Sequence, residues 1–295
     1  MGVFVVSGVV FNCDSAITEA FSKAFISTHS NNSLLTYTVV LREQPPPAAF
    51  NDVVFAPINN YCSSALFGEG YLLNYESDAV IRIDLEQHVV EVYLVSRNSL
   101  FVLPFLFQTD IVAIILSSAK IPIMHASSVS DPSQSGIFAF LGPSKTGKST
   151  MAAYFIKQGF SYFSDDILPI HVCDGVGVGY RSVLPLKLRK DSADYFGDAF
   201  FAQPSTVVSS CQPVLGLFFL HPTDKETPVE IAKITQGKVA FLLGNLHHHS
   251  LKAQGLNGES VCNLAKCAEN INMYSIKYSK QYSKLSDVYQ SIISL

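Results

Sequence analysis

The chain has 295 residues, nearly half of them hydrophobic and few of them charged, with a net charge of −4. That composition excludes a disordered chain and supports a sizeable core, in one large domain or two moderate ones. The charge balance gives no reason to expect nucleic acid as a partner.

The N-terminus, Met1 to Ser7, lacks a basic region and carries Val at position 6, so it reads neither as a signal peptide nor as a myristoylation site. Val3 to Phe11 reads as a first strand. Leu34 to Leu41 and Asp52 to Ala56 follow as strands, with Gln44-Pro45-Pro46-Pro47 as an extended loop between them. Tyr71 to Leu73, Ala79 to Asp84 and Val89 to Val95 are further strands, the last two joined like a hairpin through Leu85 to His88. Leu100 to Leu116 is the most membrane-like run. Pro104, Gln108 and Asp110 interrupt it, and Pro104 to Ser118 is predicted as a buried helix joining two halves. Residues 1–118 thus form a β-rich N-terminal domain for recognition or assembly, and residues 119–295 form the second domain.

Ile121 to Val129 reads as a strand, Asp131 to Gly136 as a turn, and Ile137 to Leu141 as the return strand. Next comes Gly142-Pro143-Ser144-Lys145-Thr146-Gly147-Lys148-Ser149-Thr150, which fits the P-loop pattern G-x-x-x-x-G-K-[ST]. Helical sequence follows it, ending near Gln158-Gly159. Strand, glycine loop and helix form the context that a nucleoside triphosphate site requires. The glycines permit backbone angles that turn successive N–H groups toward phosphate oxygens. The helix N-terminus adds its positive dipole. Lys148 is expected to face solvent and reach the terminal phosphates, and Ser149 to hold Mg²⁺.

Phe160 to Ser164 is the next strand and ends in Asp165-Asp166. A strand-end carboxylate in such a protein binds Mg²⁺ or orients the nucleophile, and two could divide those tasks; the sequence does not say which does which. His125, one strand before the loop, is either a core histidine or a member of the same site. Ile167 to Val172 reads as strand, Gly175 to Gly179 as a turn-rich loop, Leu184 to Leu188 as strand-like and Asp191 to Phe196 as a short helix. Ser205 to Gln212 reads as a polar loop, Pro213 to Leu220 and Val229 to Ile234 as strands, and Thr235 as the cap of a helix to about Asn245. Asn272 to Tyr278 is a strand and Leu285 to Ile293 a closing helix.

A strand with His125, a hairpin, the loop Gly142 to Thr150, then Phe163-Ser164-Asp165-Asp166 resembles the catalytic domain of HPr kinase/phosphorylase, a fold related to phosphoenolpyruvate carboxykinase. Ile123-Met124-His125-Ala126-Ser127 with Phe140 to Ser144 looks still more like the HPr-kinase-related proteins encoded beside ribosomal-peptide genes, lasso-peptide clusters included. The match covers about residues 121–172. The resemblance implies an α/β P-loop kinase domain of the HPr kinase/phosphoenolpyruvate carboxykinase type. It implies ATP, or another nucleoside triphosphate, on residues 142–150, and catalytic and metal roles for Asp165 and Asp166. The glycine- and isoleucine-rich signature of the bifunctional enzymes has no recognisable counterpart here. Lys145 and Thr146 occupy positions that are often small in the family.

Two other features read as ordinary surface. His247-His248-His249 cannot all face one metal on a helix and fits a polar helix end. Arg181, Lys187, Arg189 and Lys190 make a basic stretch that either meets phosphates or an acidic peptide or, as is commoner, forms a solvated face. The cysteines, Cys13, Cys62, Cys173, Cys211, Cys262 and Cys267, form no C-x-x-C pair and fit a reducing cytoplasm. The expected activity is ATP- and Mg²⁺-dependent phosphorylation of a Ser or Thr hydroxyl on a peptide or protein, with Lys148, Asp165, Asp166 and His125 as catalytic residues. No nucleic acid or membrane partner is expected, and homo-oligomerisation is left open. A nucleotide-binding regulatory module without transfer activity, and a small-molecule kinase, are the alternatives.

Overall fold

The computed structural model describes residues 2–22, 33–131, 133, 136–182, 185–197, 209–247 and 256–295. The chain divides into two compact units, Met1–Ala119 and Lys120–His247 with Leu256–Leu295. It is mixed α/β with one sheet in each unit. Among the described residues no helix is long and apolar enough to cross a membrane.

In the first unit the strands are β1 (Gly2–Val6), β2 (Val9–Cys13), β3 (Leu35–Arg42), β4 (Ala56–Pro57), β5 (Ser63–Leu66), β6 (Gly70–Tyr75), β7 (Ala79–Asp84) and β8 (Val89–Leu94). They form one sheet in the order β1-β2-β3-β8-β7-β6-β5-β4. The expected single strand Val3 to Phe11 is a hairpin instead. Ser7 and Gly8 both have positive φ (51° and 86°), the two-residue turn that matches strand twist. The expected strand at Asp52 to Ala56 reduces to the two-residue β4, preceded by a single turn at Ala48–Phe50.

Helices α1 (Ser15–Ser22), α2 (Leu103–Leu106) and α3 (Val112–Ser118) accompany this sheet. Phe107 fixes their packing, with its ring edge-on to Phe11 and Phe21, centroids 5.0 Å away in both cases. The predicted helix Pro104 to Ser118 widens to a π-helical turn at Phe107–Ile111. Asp110 is buried in that turn and accepts hydrogen bonds from Tyr75 Oη at 3.1 Å and Asn59 Nδ2 at 3.4 Å. A carboxylate inside the apolar run is therefore satisfied by protein donors.

The second unit contains β9 (Ile123–Met124), β10 (Ala126–Asp131), β11 (Gly136–Leu141), α4 (Lys148–Lys157), β12 (Ser161–Ser164), β13 (Leu168–Cys173), β14 (Val176–Tyr180) and α5 (Lys190–Phe196). It continues with β15 (Cys211–Thr223), β16 (Glu230–Lys233), α6 (Lys238–Leu243), α7 (Gly258–Asn270), β17 (Met273–Ser279) and α8 (Leu285–Ile293). The main path is β12-β10-β11-β15-β14-β13-β9, with β17 pairing both β15 and β16. β11 lies parallel to β15, and β15 parallel to β17. Along β11, Ile137, Ala139 and Leu141 enter one core with α7, while Phe138 and Phe140 enter the other with α4 and α8. Burial on both faces explains why this strand is apolar throughout.

Several expectations change here. The strand Ile121 to Val129 breaks at His125, whose N–H turns to the carbonyl of Asn245 at 2.8 Å. Gly175 to Gly179 is not a loop. Asp174 and Gly175 make a two-residue turn (φ 50° and 76°), and the rest is β14. Its glycines mark close packing: a Cβ on Gly177 would lie 2.4 Å from Ile271 Cγ1, and one on Gly179 2.5 Å from Ile137 Cδ1. Residues 185–188 are not a strand, and Cys211 and Gln212 already belong to β15. The helix expected from Thr235 starts at Lys238 after Gly237. Helix α7 was not expected at all; the Asn257 side chain caps it by accepting from Ser260 N at 2.9 Å. The expected features at 132, 134–135, 183–184, 205–208 and 248–249 lie outside the described residues.

Candidate active site

Strand direction assembles the site. β10 runs antiparallel to both β11 and β12, with Ala126 opposite Leu141 and Ser128 opposite Ser164. The ends of β11 and β12 therefore emerge beside the start of β10. One end of the sheet thus carries the loop after β11, the aspartates after β12 and His125 before β10. Crevices beyond the carboxyl ends of strands are common binding places in open α/β sheets.

The loop from Gly142 to Thr150 needs its glycines. Gly142 (φ 142°) and Gly147 (φ 94°) have positive φ, and Lys145 shares that region at 72°. A Cβ on Gly142 would stand 2.9 Å from Thr146 Oγ1 and 3.1 Å from the Leu220 carbonyl. Thr146 Oγ1 donates to the Pro143 carbonyl at 2.8 Å. Tyr278 Oη, from β17, donates to the Thr146 carbonyl at 2.8 Å. Gly147 then starts α4, aiming that helix's N-terminus at the cleft.

Lys148 corrects an expectation: it is buried rather than solvent-facing. Its Nζ donates to the carbonyls of Gly142 at 3.0 Å and Pro143 at 3.3 Å, bridging the loop it belongs to. Burial lowers its pKa below the ordinary lysine value, while Asp166 and Asp165 act in the opposite direction.

The adjacent aspartates occupy different surroundings. Asp165 is buried, and its Oδ1 accepts from Ser127 Oγ and from Ser149 Oγ at 3.1 Å. Its Oδ2 accepts from the backbone N–H of Lys187 at 3.1 Å. Burial raises its pKa in spite of these donors. Asp166 has positive φ (74°), which turns it out of the strand path into the cleft, half exposed. Its Oδ1 lies 3.0 Å from His125 Nε2. That hydrogen bond first, and the charges of His125 and His247 after it, bring the Asp166 pKa down to about 2.

Pairing of β9 with β13 sets the His125–Asp166 contact, since Met124 lies opposite Leu168. His247 is not on a helix end, as its sequence suggested. It is buried, its N–H donates to the Ile123 carbonyl at 2.8 Å, and its ring stands edge-on to His125 with centroids 6.5 Å apart.

The cleft of about 200 Å³ is lined by His125, Ser144, Lys145, Gly147 to Thr150, Asp165, Asp166 and Lys187 to Arg189. Lys187 and Arg189 therefore border the site instead of a plain solvated face, whereas Arg181 is buried. Sequence reasoning also missed Ser127. It is fully buried, donates to Asp165 and lies 3.3 Å from Ser149 Oγ. A serine run on a strand that is otherwise core was the available signal.

The oxygens of Ser127, Ser149 and Asp165 are hard donors of the kind Mg²⁺ takes, alongside phosphate oxygens and water. The raised pKa of Asp165 marks a buried carboxylate whose ionised form a cation would stabilise. Among the described residues no group of three or more His, Cys, Asp or Glu could hold a metal by itself.

No protein-family model matches the chain, and no curated protein matches it. Solved structures similar to it include an HPr(Ser) kinase/phosphatase. That protein, from Coxiella burnetii, is 14% identical, with 58% of this chain and 91% of that chain covered at a TM-score of 0.32. A likeness at that level carries no function across.

Proposed function

We propose that the second unit is a P-loop kinase domain of the HPr kinase/phosphoenolpyruvate carboxykinase type. Its reaction is transfer of the γ-phosphoryl group of ATP to a Ser or Thr hydroxyl of a peptide or protein. The observation that carries this reading is the division between the aspartates. One is buried against the P-loop serine; its neighbour is half exposed and held by a histidine in the same cleft.

The backbone N–H groups of residues 142–150 would cradle the phosphates. Lys148 would exchange its hydrogen bonds to Gly142 and Pro143 for the terminal phosphates and stabilise charge developing on the leaving diphosphate. Ser149 and Asp165 would hold Mg²⁺, which when bound neutralises phosphate charge. Ser127 orients Asp165 from behind. Asp166, ionised and fixed by His125, accepts a hydrogen bond from the acceptor hydroxyl and aligns its oxygen. The acceptor O–P bond forms and the bond to the bridging oxygen breaks. The hydroxyl proton passes to Asp166 late, once bonding to phosphorus has acidified it.

Residues 1–118 are proposed to contribute to peptide capture. The sheet of the first unit ends in β1 and β4, and a sheet edge can pair with an extended chain through backbone hydrogen bonds. Cytoplasmic location belongs to the same reading. The test is to incubate the protein with ATP, Mg²⁺ and flexible peptides bearing Ser or Thr, beside free sugars and amino acids, and to follow acceptor mass. Phosphopeptide supports the proposal. Transfer only to a free small molecule would replace the peptide with that acceptor.

A further inference from the structure

The stretch from Pro185 to Arg189 joins no sheet, yet its burial alternates as in a strand. Leu186 is buried and Leu188 partly so, both in the core with α4 and α8. Lys187 and Arg189 are exposed and line the cleft. Extended backbone sends successive side chains to opposite sides. The two leucines therefore anchor the run and fix where its cations stand.

Lys187 is set apart from the other cations of the cleft. Lys145 and Lys148 belong to the loop itself. Arg189 also lines a neighbouring cavity with Gly147, Thr150 and Tyr278, which places it on the loop's side. Lys187 borders the cleft from the other side of Asp165. Its N–H donates to Asp165 Oδ2, whereas Ser127 and Ser149 donate to Oδ1. The buried carboxylate thus stands between the loop serine and Lys187. The charge of Lys187 also acts on Asp166, adding to the pull of His125 and His247 on that carboxyl. Lys187 is therefore at the acceptor end, near the aspartate proposed to align the hydroxyl.

We infer that Lys187 selects acceptor peptides carrying an Asp or Glu side chain next to the phosphorylated Ser or Thr. The inference rests on the proposed transfer to a peptide and deepens it by naming the class of peptide. Charge complementarity decides it. Asp165 and Asp166 line the cleft and repel an acidic chain except where a cation offsets them. Lys187, anchored through its neighbours, offers that one place. A neutral neighbour of the acceptor gains nothing there, and a basic one meets like charge. Phosphate has its own donors on the loop, in the backbone N–H groups and Lys148. Lys187 is exposed, so the pair it forms is moderate in strength and weakened by salt. The result is a graded preference among peptides rather than a strict requirement.

The test uses three peptides of otherwise identical neutral sequence, with Asp, Asn or Lys on either side of a single Ser. Acetylated and amidated ends leave side chains as the only charges. The full chain with ATP and Mg²⁺ gives kcat/KM for each. In wild type the Asp peptide should exceed the Lys peptide at least about fivefold, with Asn between them and the gap narrowing as salt is added. Lys187→Glu should lower that Asp-to-Lys ratio at least about fivefold, and Lys187→Gln by less. Lys190→Glu makes the same charge change on an exposed cation outside the cleft lining, and should leave the ratio within about twofold. Each ratio is taken within one protein, so a general loss of activity cancels. For a variant too slow to assay, the same peptides with Ala in place of Ser, fluorescently labelled and titrated with Mg²⁺ and ADP present, give the ratio from binding alone. Equal rates for the three peptides in wild type would overturn the inference. So would an unchanged ratio in Lys187→Glu, and that result with weakened ATP binding would assign Lys187 to the phosphates. An equal shift in Lys190→Glu would overturn it too, by making the preference a matter of net charge. Transfer to none of the three peptides would instead overturn the peptide reading itself, and this inference with it.

Discussion

Two neighbouring carboxylates of identical chemistry take opposite pKa shifts, up for Asp165, which burial raises, and down for Asp166, whose hydrogen bond from His125 outweighs burial. The sequence made Asp165 and Asp166 a pair and left their roles interchangeable. The structure separates them by surroundings: Asp165 is buried against Ser127 and Ser149, while Asp166, with positive φ, is half exposed beside His125. Asp165→Asn should raise the Mg²⁺ concentration needed for half-maximal turnover. Asp166→Asn should leave that concentration unchanged and lower kcat. Titrating Mg²⁺ against the initial rate for each variant checks this; wild-type curves and full activity in both variants would make the pair structural. Ser127→Ala should resemble a mild Asp165→Asn, with a shifted Mg²⁺ requirement and a retained fold, because it removes one donor to the buried carboxylate proposed to hold the metal. Lys148→Ala should cost turnover about 10²–10³-fold or more, the range for a lost donor to transition-state charge. The loop Gly142 to Thr150 was legible in sequence as a pattern, and the structure gives it the expected setting between a strand and a helix. Ser127, Lys187 and Tyr278 were not, since each matters only through a partner distant along the chain.

At the scale of elements, β17 supports the loop that β11 delivers. Tyr278 closes the Thr146 carbonyl, and its hydroxyl leaves no room for a side chain at position 147. Tyr278→Phe should weaken ATP binding severalfold, in line with about 1 kcal/mol for a lost hydrogen bond, with little change in melting temperature. Nucleotide titration beside thermal unfolding checks both halves of that statement. Gly177→Val should instead act on stability, because it drives a larger side chain into Ile271 of the opposing core; about 1–3 kcal/mol is the usual cost of such overpacking. Elements with a clear period, such as β7 and α8, and the bounded apolar run of β11 were readable. Two of the misread elements share one cause: a residue that usually ends a strand was serving inside or between strands. Ser7-Gly8 was a turn inside an apparently continuous run, and Gly177 and Gly179 were close-packing positions rather than a loop. Helix α7 has an ordinary capping signal at Asn257 but a polar composition, and it went unassigned.

At the scale of the whole molecule, the two units depend differently on buried charge. In the first unit, Glu91 accepts from Arg42 Nε at 2.8 Å and Arg82 Nη1 at 3.0 Å, and Arg82 Nη2 also donates to Asp84 at 2.7 Å. Burial pushes the Glu91 carboxyl up, but the two guanidinium groups outweigh it and hold the pKa below the ordinary value. A depressed folded-state pKa means that the stabilisation is present above the unfolded value of about 4.3 and is lost as pH falls through the folded one. Glu91→Gln should therefore lower stability at neutral pH by about 1.5–3 kcal/mol. The gap to wild type should close as pH falls below about 4. Chemical denaturation at a series of pH values reads that difference directly. In the second unit buried Asp165 and half-exposed Asp166 border the cleft, and Asp166 is proposed to align the acceptor of a phosphoryl group. The most direct measurement is single-turnover transfer from ATP to a Ser or Thr peptide at saturating Mg²⁺, comparing wild type with Asp166→Asn. Wild type should give phosphopeptide and, with ATP affinity unchanged, the variant should transfer at least about 10²-fold more slowly. Equal transfer rates for the two proteins would contradict that role for Asp166.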